Sequence, residues 1–162
     1  MTSGNVDLVG PPSYWAYLCV APESGSCIDV DGSIPGTITS TAIDLVPGNY
    51  TLAFDIDGTQ RGYDASTTVT FGSYFNQTYN LASPDQNAIS VSFDVTAPGS
   101  APIVFTSNDP PRDSMGTLVD NVSLTQNSTS LVPEPSTLSL MAGLALAALG
   151  GIGARRLRRA RA

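Results

Sequence analysis

The sequence predicts an all-β fold, a β-sandwich or jelly roll, followed by one apolar C-terminal segment. Polar and apolar residues alternate with a period of two in short runs, and Gly, Pro, Asn and Asp separate these runs. No segment before residue 132 has the periodicity of an amphipathic helix. Twelve of the 13 acidic residues in that part are Asp, a residue that favours turns over helices. We therefore expect one β-sandwich domain over residues 1–131.

The predicted strands follow one another along the whole of this domain. Nine short strands with turn residues between them are typical of a β-sandwich or jelly roll. They are Tyr14–Val20, Cys27–Asp31, Thr37–Leu45, Asn49–Ile56, Thr67–Gly72, Phe75–Leu81, Ala88–Thr96, Pro102–Ser107 and Thr117–Thr125.

Three of these strands show the alternation most clearly, and their apolar residues are the predicted core. Each such side chain contributes about 1.5–3 kcal/mol when it is buried, so this set can hold one domain together. The apolar sets are Tyr50, Leu52, Phe54 and Ile56, then Val69 and Phe71, then Ile89, Val91, Phe93 and Val95.

The last 31 residues, Val132–Ala162, have a different composition. A Pro-Glu-Pro motif at Pro133, Glu134 and Pro135 precedes a charge-free run of 17 residues, Leu138–Ala154. As a helix this run is about 25 Å long, which is just enough to cross a membrane. Five arginines lie in the final eight residues, 155–162, and mark that end as cytoplasmic. The sequence therefore predicts a transmembrane helix with residues 1–131 on the far side of the membrane.

This order of motif, helix and arginine tail resembles the PEP-CTERM sorting signal of Gram-negative bacteria. The resemblance implies that an exosortase cuts near Pro133, Glu134 and Pro135 and releases the chain from a transient inner-membrane anchor. The product would belong to the cell surface, the extracellular matrix or a biofilm. The alternative is an unprocessed tail anchor. Because no apolar signal-peptide core follows Met1, we expect the natural start to lie upstream or the front end to be lost.

Four segments of the body also resemble the domain that many PEP-CTERM proteins carry. They are GNVDLVG, CIDVDGS, PGTITSTAIDLVPGNYTLAFDIDGTQRG and LVDNVSLT. That domain is similar to galactose-binding-like jelly rolls, the fold of many carbohydrate-binding modules. The resemblance implies a structural or adhesive protein with extracellular polysaccharide as a partner, and a structural calcium held by an acidic residue of the last strand.

The charge of the body excludes some partners and makes catalysis difficult. Residues 1–131 carry 13 acidic groups against Arg61 and Arg112, a net charge of −11. Such a surface repels nucleic acid and anionic lipid. The chain has no His or Lys, so the usual nucleophile–base pairs are missing and we expect no enzyme. A secreted glycoside-active enzyme that uses two carboxylates is the alternative.

Strand parity singles out Asp120 as a candidate calcium ligand. If Val122 and Leu124 point into the core, Asp120 points there too, and a buried carboxylate needs a cation or hydrogen bonds. Oxygen ligands for calcium could come from the early acidic segments. These candidates are Asn5 and Asp7, or Asp29 and Asp31. The alternative places Asp120 at a hydrated sheet edge.

Arg61, Tyr63 and Tyr74 are the candidate ligand-binding residues. Arg61 can bind a carboxylate of a substrate, or it can pair with Asp55, Asp57 or Asp64. Tyr63 and Tyr74 are predicted near loops, where an aromatic ring can stack on a sugar.

Cys19 and Cys27 are the two cysteines of the chain. In an oxidising compartment a bridge between them contributes about 2–3 kcal/mol by the chain-entropy argument. We therefore expect a disulfide in the exported protein, and two free thiols are the alternative.

Overall fold

The computed structural model describes residues 1–12, 18–19, 25–111 and 115–129. All of them belong to one compact unit, Met1–Ser130. These residues form strands and no α-helix, so the described part contains no helix able to cross a membrane. The predicted strand Tyr14–Val20 lies largely outside the described residues. The Pro-Glu-Pro motif, the predicted transmembrane helix 138–154 and the arginine tail 155–162 lie wholly outside them.

The described residues form twelve strands in three antiparallel sheets. The first sheet has the order β1-β4-β11-β7-β8, the second the order β2-β3-β12-β6-β9, and the third pairs β10 with β5. The strands are β1 Thr2–Ser3, β2 Asp7–Val9, β3 Cys27–Asp29, β4 Thr37–Thr39, β5 Ile43–Leu45, β6 Gly48–Asp57, β7 Ala65–Phe71, β8 Phe75–Leu81, β9 Gln86–Val95, β10 Gly99–Ala101, β11 Ile103–Ser107 and β12 Leu118–Thr129.

The core lies between the two five-stranded sheets, as the alternation predicts. On β6 every second side chain is buried, and Phe54 makes edge contacts with Phe105 and Tyr79 of the opposite sheet. Val69 and Phe71 of β7 are fully buried. On β9 the predicted face is right, but Ile89, Val91 and Phe93 are only half-buried because β9 is the last strand of its sheet.

The predicted strand Thr37–Leu45 is two strands in different sheets. β4 pairs with β11 in the first sheet, whereas β5 pairs with β10 in the small sheet. Ser40 makes the corner: its N–H donates to Ile103 O, and its Oγ accepts from Ile103 N. The side chain thus takes the place of a ladder hydrogen bond where the chain changes sheets. β1, β2 and β10 were not predicted because two or three residues are too short to show a period.

The strand-parity argument for Asp120 is wrong. β12 and β6 shift register between Asp120 and Ser123, and Asn121 adopts a positive φ of 52°. A β-bulge of this kind places an extra residue in one strand and breaks the alternation of faces. Val122, predicted to be in the core, is 44% exposed. The position of Val122 therefore says nothing about where Asp120 points.

Candidate functional site

Three loops meet at one end of the sandwich and are joined by hydrogen bonds. They are 58–64 between β6 and β7, 82–85 between β8 and β9, and 108–109 after β11. Gly58 N donates to Asp85 O at 2.9 Å, and Gln60 N donates to Ser83 O at 3.0 Å. Backbone bonds of this kind hold the first two loops together as one rigid unit.

Two glycines explain why the first loop can take this path. A β-carbon at Gly58 would lie 2.0 Å from Ala82 O, so only glycine permits the two loops to touch. Gly62 has a φ of 85°, in the left-handed region that glycine adopts without strain. Its N–H donates to Ser83 Oγ at 2.7 Å.

Thr59 fixes the conformation of the loop from inside. Its side chain is fully buried, and Thr59 Oγ1 donates to Tyr63 O at 2.7 Å and accepts from Arg61 N at 3.2 Å. The backbone at Tyr63 is thereby held in place while 48% of the residue is exposed. Tyr63 therefore lies on a loop, where the sequence predicts it, and about half of the residue is exposed.

A polar pocket of about 230 Å³ lies next to this loop, and Asp64, the residue after Tyr63, is part of its lining. Ser66 N donates to Asp109 Oδ1 at 2.9 Å, which ties the third loop to β7. Carboxylates, an amide and a hydroxyl are groups that bind sugar hydroxyls, and an aromatic ring such as Tyr63 can stack on the apolar face of a pyranose. The lining residues are Asp64, Ala65, Ser66, Asn80, Leu81, Ala82 and Asp109.

Arg61 has a structural partner that differs from the three predicted ones. Its Nη2 donates to Asp29 Oδ2 on β3, and not to Asp55, Asp57 or Asp64. Its Nε donates to Thr59 O at 3.1 Å. With both groups engaged and the side chain only 15% exposed, Arg61 holds the loop in place and is not available to a ligand.

Tyr74 also packs within the protein instead of standing on a loop as a ligand platform. Its ring stacks on Phe93 with centroids 5.4 Å apart, and it contacts Phe71 at 5.7 Å. The residue belongs to the partly buried rim of the core.

The structure brings the two early acidic segments close to each other, with Asp7 opposite Asp29 in the ladder of β2 and β3. Asn5 and Asp7 both approach Gly32, where a β-carbon would lie 2.3 Å from Asn5 Oδ1 and 3.1 Å from Asp7 Oδ2. Asp29 and Asp31 are fully buried, and Asp31 N donates to Asp29 Oδ1 at 3.0 Å. Burial raises the pKa of the Asp29 carboxyl, although hydrogen bonds from Arg61 and Asp31 N oppose this rise.

Asp120 lies elsewhere, opposite Asp55 of β6. Its Oδ1 accepts from Asn121 N at 2.7 Å. Burial is the main cause of a raised pKa at Asp57, and the charges of Asp55 and Asp120 add to it.

The residues named for calcium do not form the predicted ligand set. Both oxygens of Asp29 already accept hydrogen bonds, from Arg61 and from Asp31 N. Across the described ranges no three acidic, His or Cys side chains are grouped to hold a metal ion. Calcium binding itself stays a prediction. A melting temperature that calcium raises in the natural chain, but not in Asp120→Ala, would confirm it.

A second, apolar cleft of about 320 Å³ opens between the two large sheets. Its walls include Ile28, Ile38, Phe105, Val119 and the exposed Val122. These walls offer few groups to a sugar hydroxyl, so the cleft is a poorer candidate for a polar ligand than the pocket beside Tyr63.

Sequence reasoning missed most of the polar pocket. Ser66 and Asn80 are outward residues of neighbouring strands, and Asp109 belongs to a distant loop. Nothing in the local sequence marks these residues, because only the pairing of β7 with β8 and the loop after β11 brings them together.

The comparisons with known proteins show the fold and no family. The sequence matches no protein-family profile. It is 30% identical to Halomucin of Haloquadratum walsbyi over 145 residues, which cover 86% of this chain and 2% of that protein. The chain thus spans a very small part of this relative.

Two solved structures have a similar architecture. The carbohydrate-binding module TmCBM61 in complex with β-1,4-galactotriose has a TM-score of 0.53 and 14% identity, over 78% of this chain and 88% of that one. A family 16 carbohydrate-binding module has a TM-score of 0.50 and 18% identity, over 75% of this chain and 85% of that one. The fold prediction is confirmed as an all-β sandwich that resembles carbohydrate-binding modules.

Proposed function

We propose that this chain binds an extracellular polysaccharide and that the ligand contacts Tyr63 and the polar pocket beside it. The observation that carries the proposal is Tyr63, about half exposed on a loop whose backbone is held by the buried Thr59. Because the backbone that carries this ring is held in place, little backbone freedom is lost when a sugar stacks on the ring. Asp64, Ser66, Asn80 and Asp109 line the adjacent pocket and offer partners for the sugar hydroxyls.

The fold supports a binding role over a catalytic one. The two similar structures are carbohydrate-binding modules, and one of them holds β-1,4-galactotriose. The likeness is one of fold, so the ligand of this chain is inferred from its own residues.

The charge of the body narrows the class of ligand. With 13 acidic groups against two arginines in residues 1–131, the surface repels acidic polysaccharides such as uronates and sulfated glycans. Arg61 cannot bind their carboxylates because it is paired with Asp29. A neutral polysaccharide is therefore the proposed ligand class.

We further propose that the protein is exported and that an exosortase sorts it to the surface or matrix of a Gram-negative bacterium. The C-terminal sequence from Pro133 to Ala162 supports this, together with the disulfide between Cys19 and Cys27. Disulfides persist in oxidising compartments, where an exported domain works.

Titration of the full chain with neutral and acidic polysaccharides tests the ligand proposal. Tyr63→Ala is expected to lose about 1–2 kcal/mol of binding, or roughly a 5- to 30-fold weaker affinity. Leu8→Ala is the control, because Leu8 is also exposed but belongs to β2 and not to the loop 58–64 that carries Tyr63. Equal affinity in the natural chain and Tyr63→Ala would place the ligand elsewhere, and no affinity for any neutral polysaccharide would contradict the function.

A glycoside-active enzyme is the second candidate, because Asp64 and Asp109 line one pocket. Glycosidases use two carboxylates on opposite sides of the scissile bond. Release of reducing sugar in the same assays, abolished by Asp64→Asn, would favour the enzyme over the binding module.

A further inference from the structure

Strand β9 has an open edge along its whole length. Its ten residues, Gln86–Val95, pair with β6 on one side. On the other side no strand of the described ranges pairs with it, since β9 is the last strand of the second sheet. An open edge offers a row of backbone donors and acceptors to another strand.

The usual protection of such an edge is missing in β9. Natural edge strands avoid self-association with Lys, Pro, a β-bulge or short length. The strand QNAISVSFDV has no Pro, its pairing with β6 has no bulge, and the whole chain has no Lys. Asp94 is its one charged residue.

Strand β8 forms the end of the first sheet but is a weaker candidate. It has seven residues, and Gln77 Nε2 donates to Thr78 O at 3.0 Å. This side-chain bond already occupies a backbone acceptor of β8, whereas β9 is longer and has no comparable bond from its own side chains among those the structure gives.

Two hydrogen bonds show which residues of β9 direct their backbone groups away from β6. Asn87 N donates to Asp57 Oδ1, and Phe93 O accepts from Asn49 Nδ2. Asp57 and Asn49 both belong to β6, so the odd-numbered residues of β9 face that strand. Because backbone direction alternates in an antiparallel ladder, Ala88, Ser90, Ser92 and Asp94 present their N–H and C=O groups to the open side.

We propose that two copies of this chain pair antiparallel through β9, with the two-fold axis at Val91. This register places Ser90 opposite Ser92 of the partner subunit, so that residues with outward N–H and C=O groups form the hydrogen-bonded pairs. Val91 then faces Val91 of the partner subunit in a non-hydrogen-bonded pair. The two second sheets become one continuous sheet of ten strands.

The side chains suit this register on both faces. On the core side, the half-buried Ile89 meets Phe93 of the partner subunit, so the pairing buries apolar surface that the monomer leaves partly open. On the outer side, Asp94 meets Ala88 of the partner subunit. The Asp94 carboxylates of the two copies therefore do not lie opposite each other, and direct repulsion between like charges is avoided at this edge.

Long-range repulsion between the two acidic copies opposes the pairing and makes its strength depend on the salt concentration. The body of each copy has a net charge of −11 over residues 1–131, and salt screens this repulsion. Association is therefore expected to become stronger as the salt concentration rises. The dimer would carry two Tyr63 pockets, but its formation does not depend on what these pockets bind.

Single cysteines test the pairing and its register in the full-length chain. The natural cysteines are bridged to each other. In Val91→Cys the two new thiols face each other at a Cα separation of about 4.5 Å, within the range of a disulfide. Mild oxidation is expected to give a covalent dimer in most of the protein. Ile89→Cys is the matched control, because its partner in this register is Phe93, and we expect little covalent dimer.

Failure of Val91→Cys to cross-link, or equal cross-linking of both variants, would overturn the proposal. Sedimentation equilibrium gives a second, independent measurement. The natural chain is expected to be dimeric at high salt. Ser90→Pro removes an outward N–H but keeps the hydrogen bonds between β9 and β6. We expect this variant to associate at least ten-fold more weakly. A monomeric natural chain at all salt concentrations, or an unchanged dimer in folded Ser90→Pro, would also overturn it.

Discussion

The guanidinium of Arg61 donates a hydrogen bond of 2.5 Å to the carboxylate of Asp29, and so links the loop 58–64 to β3. The side chains are 15% and 2% exposed. Because Arg61 Nε also donates to Thr59 O, one side chain connects β3 to the residue that holds Tyr63. The stability of the sandwich and the position of the proposed ligand platform therefore depend on the same ion pair.

Arg61→Met is expected to lower the free energy of unfolding by about 3–5 kcal/mol, because it leaves the buried Asp29 carboxylate without its cation. Urea denaturation measures this change. The double variant Arg61→Met/Asp29→Leu removes both charges, and we expect it to recover most of the loss. A double variant as unstable as the sum of the single ones would contradict a role of the pair in stability.

The raised pKa values of two buried carboxyls predict that the fold loses stability as the pH rises above about 3.8. Burial raises the pKa of Asp29 and Asp57 above 3.8, their ordinary value. Between that value and the raised pKa the folded state binds more protons than the unfolded one. The stability from these groups is therefore full below about pH 3.8 and is lost as the pH rises through the folded pKa. We expect the melting temperature to fall as the pH rises from about pH 4 through the raised pKa values of the folded state.

Asp57→Asn tests this pH dependence without loss of the hydrogen bond to Asn87 N, because the amide oxygen can still accept it. Calorimetry should show a smaller fall of the melting temperature with pH than in the natural chain. Asp44→Asn is the control. Asp44 is exposed, and its substitution removes one negative charge, as Asp57→Asn does. An equal effect of both variants would assign the dependence to net charge instead of burial.

The disulfide between Cys19 and Cys27 is confirmed, with Cα atoms 5.5 Å apart. Cys27 packs with Val9, Leu18 and Leu118 in a small cluster outside the main core. Reduction, or the variant Cys19→Ser/Cys27→Ser, is expected to cost about 2–3 kcal/mol of stability. Thermal melts with and without reductant measure the cost. Free thiols in the denatured, unreduced exported protein would show that the bridge does not form in its natural compartment.

Sequence reasoning predicted those parts of the fold that a local pattern encodes. The bounds of Phe75–Leu81 agree with β8, and the buried set Tyr50, Leu52, Phe54 and Ile56 lies on β6 as expected. On β6 one face is buried along the whole length, so the period of two is visible in the sequence.

The errors arise where tertiary contacts replace the local pattern. At Asn121 a bulge shifts the register, and an Asn in a polar strand position carries no sign of it. The partner of Arg61 lies 32 residues away on β3, because β3 and the loop after β6 meet in the folded sandwich. Tyr74 lies between two predicted strands, near a loop, but its ring stacks on Phe93. Such choices depend on which strands are neighbours, and no single segment contains that information.

Processing at the C-terminus is the last prediction, and it depends on the sequence from Pro133 to Ala162 alone. With a signal peptide supplied and an active exosortase in the host, the mature protein is expected to lack the residues after Pro135 and to reach the surface or the medium. Intact-mass analysis of the exported protein measures this. A variant with Ala at Pro133, Glu134 and Pro135 keeps the apolar run and the arginines, so it is the matched control and should remain in the membrane at full length. A mature natural chain that retains the RRLRRARA end would show an unprocessed tail anchor, because the arginines would then hold the helix in the inner membrane.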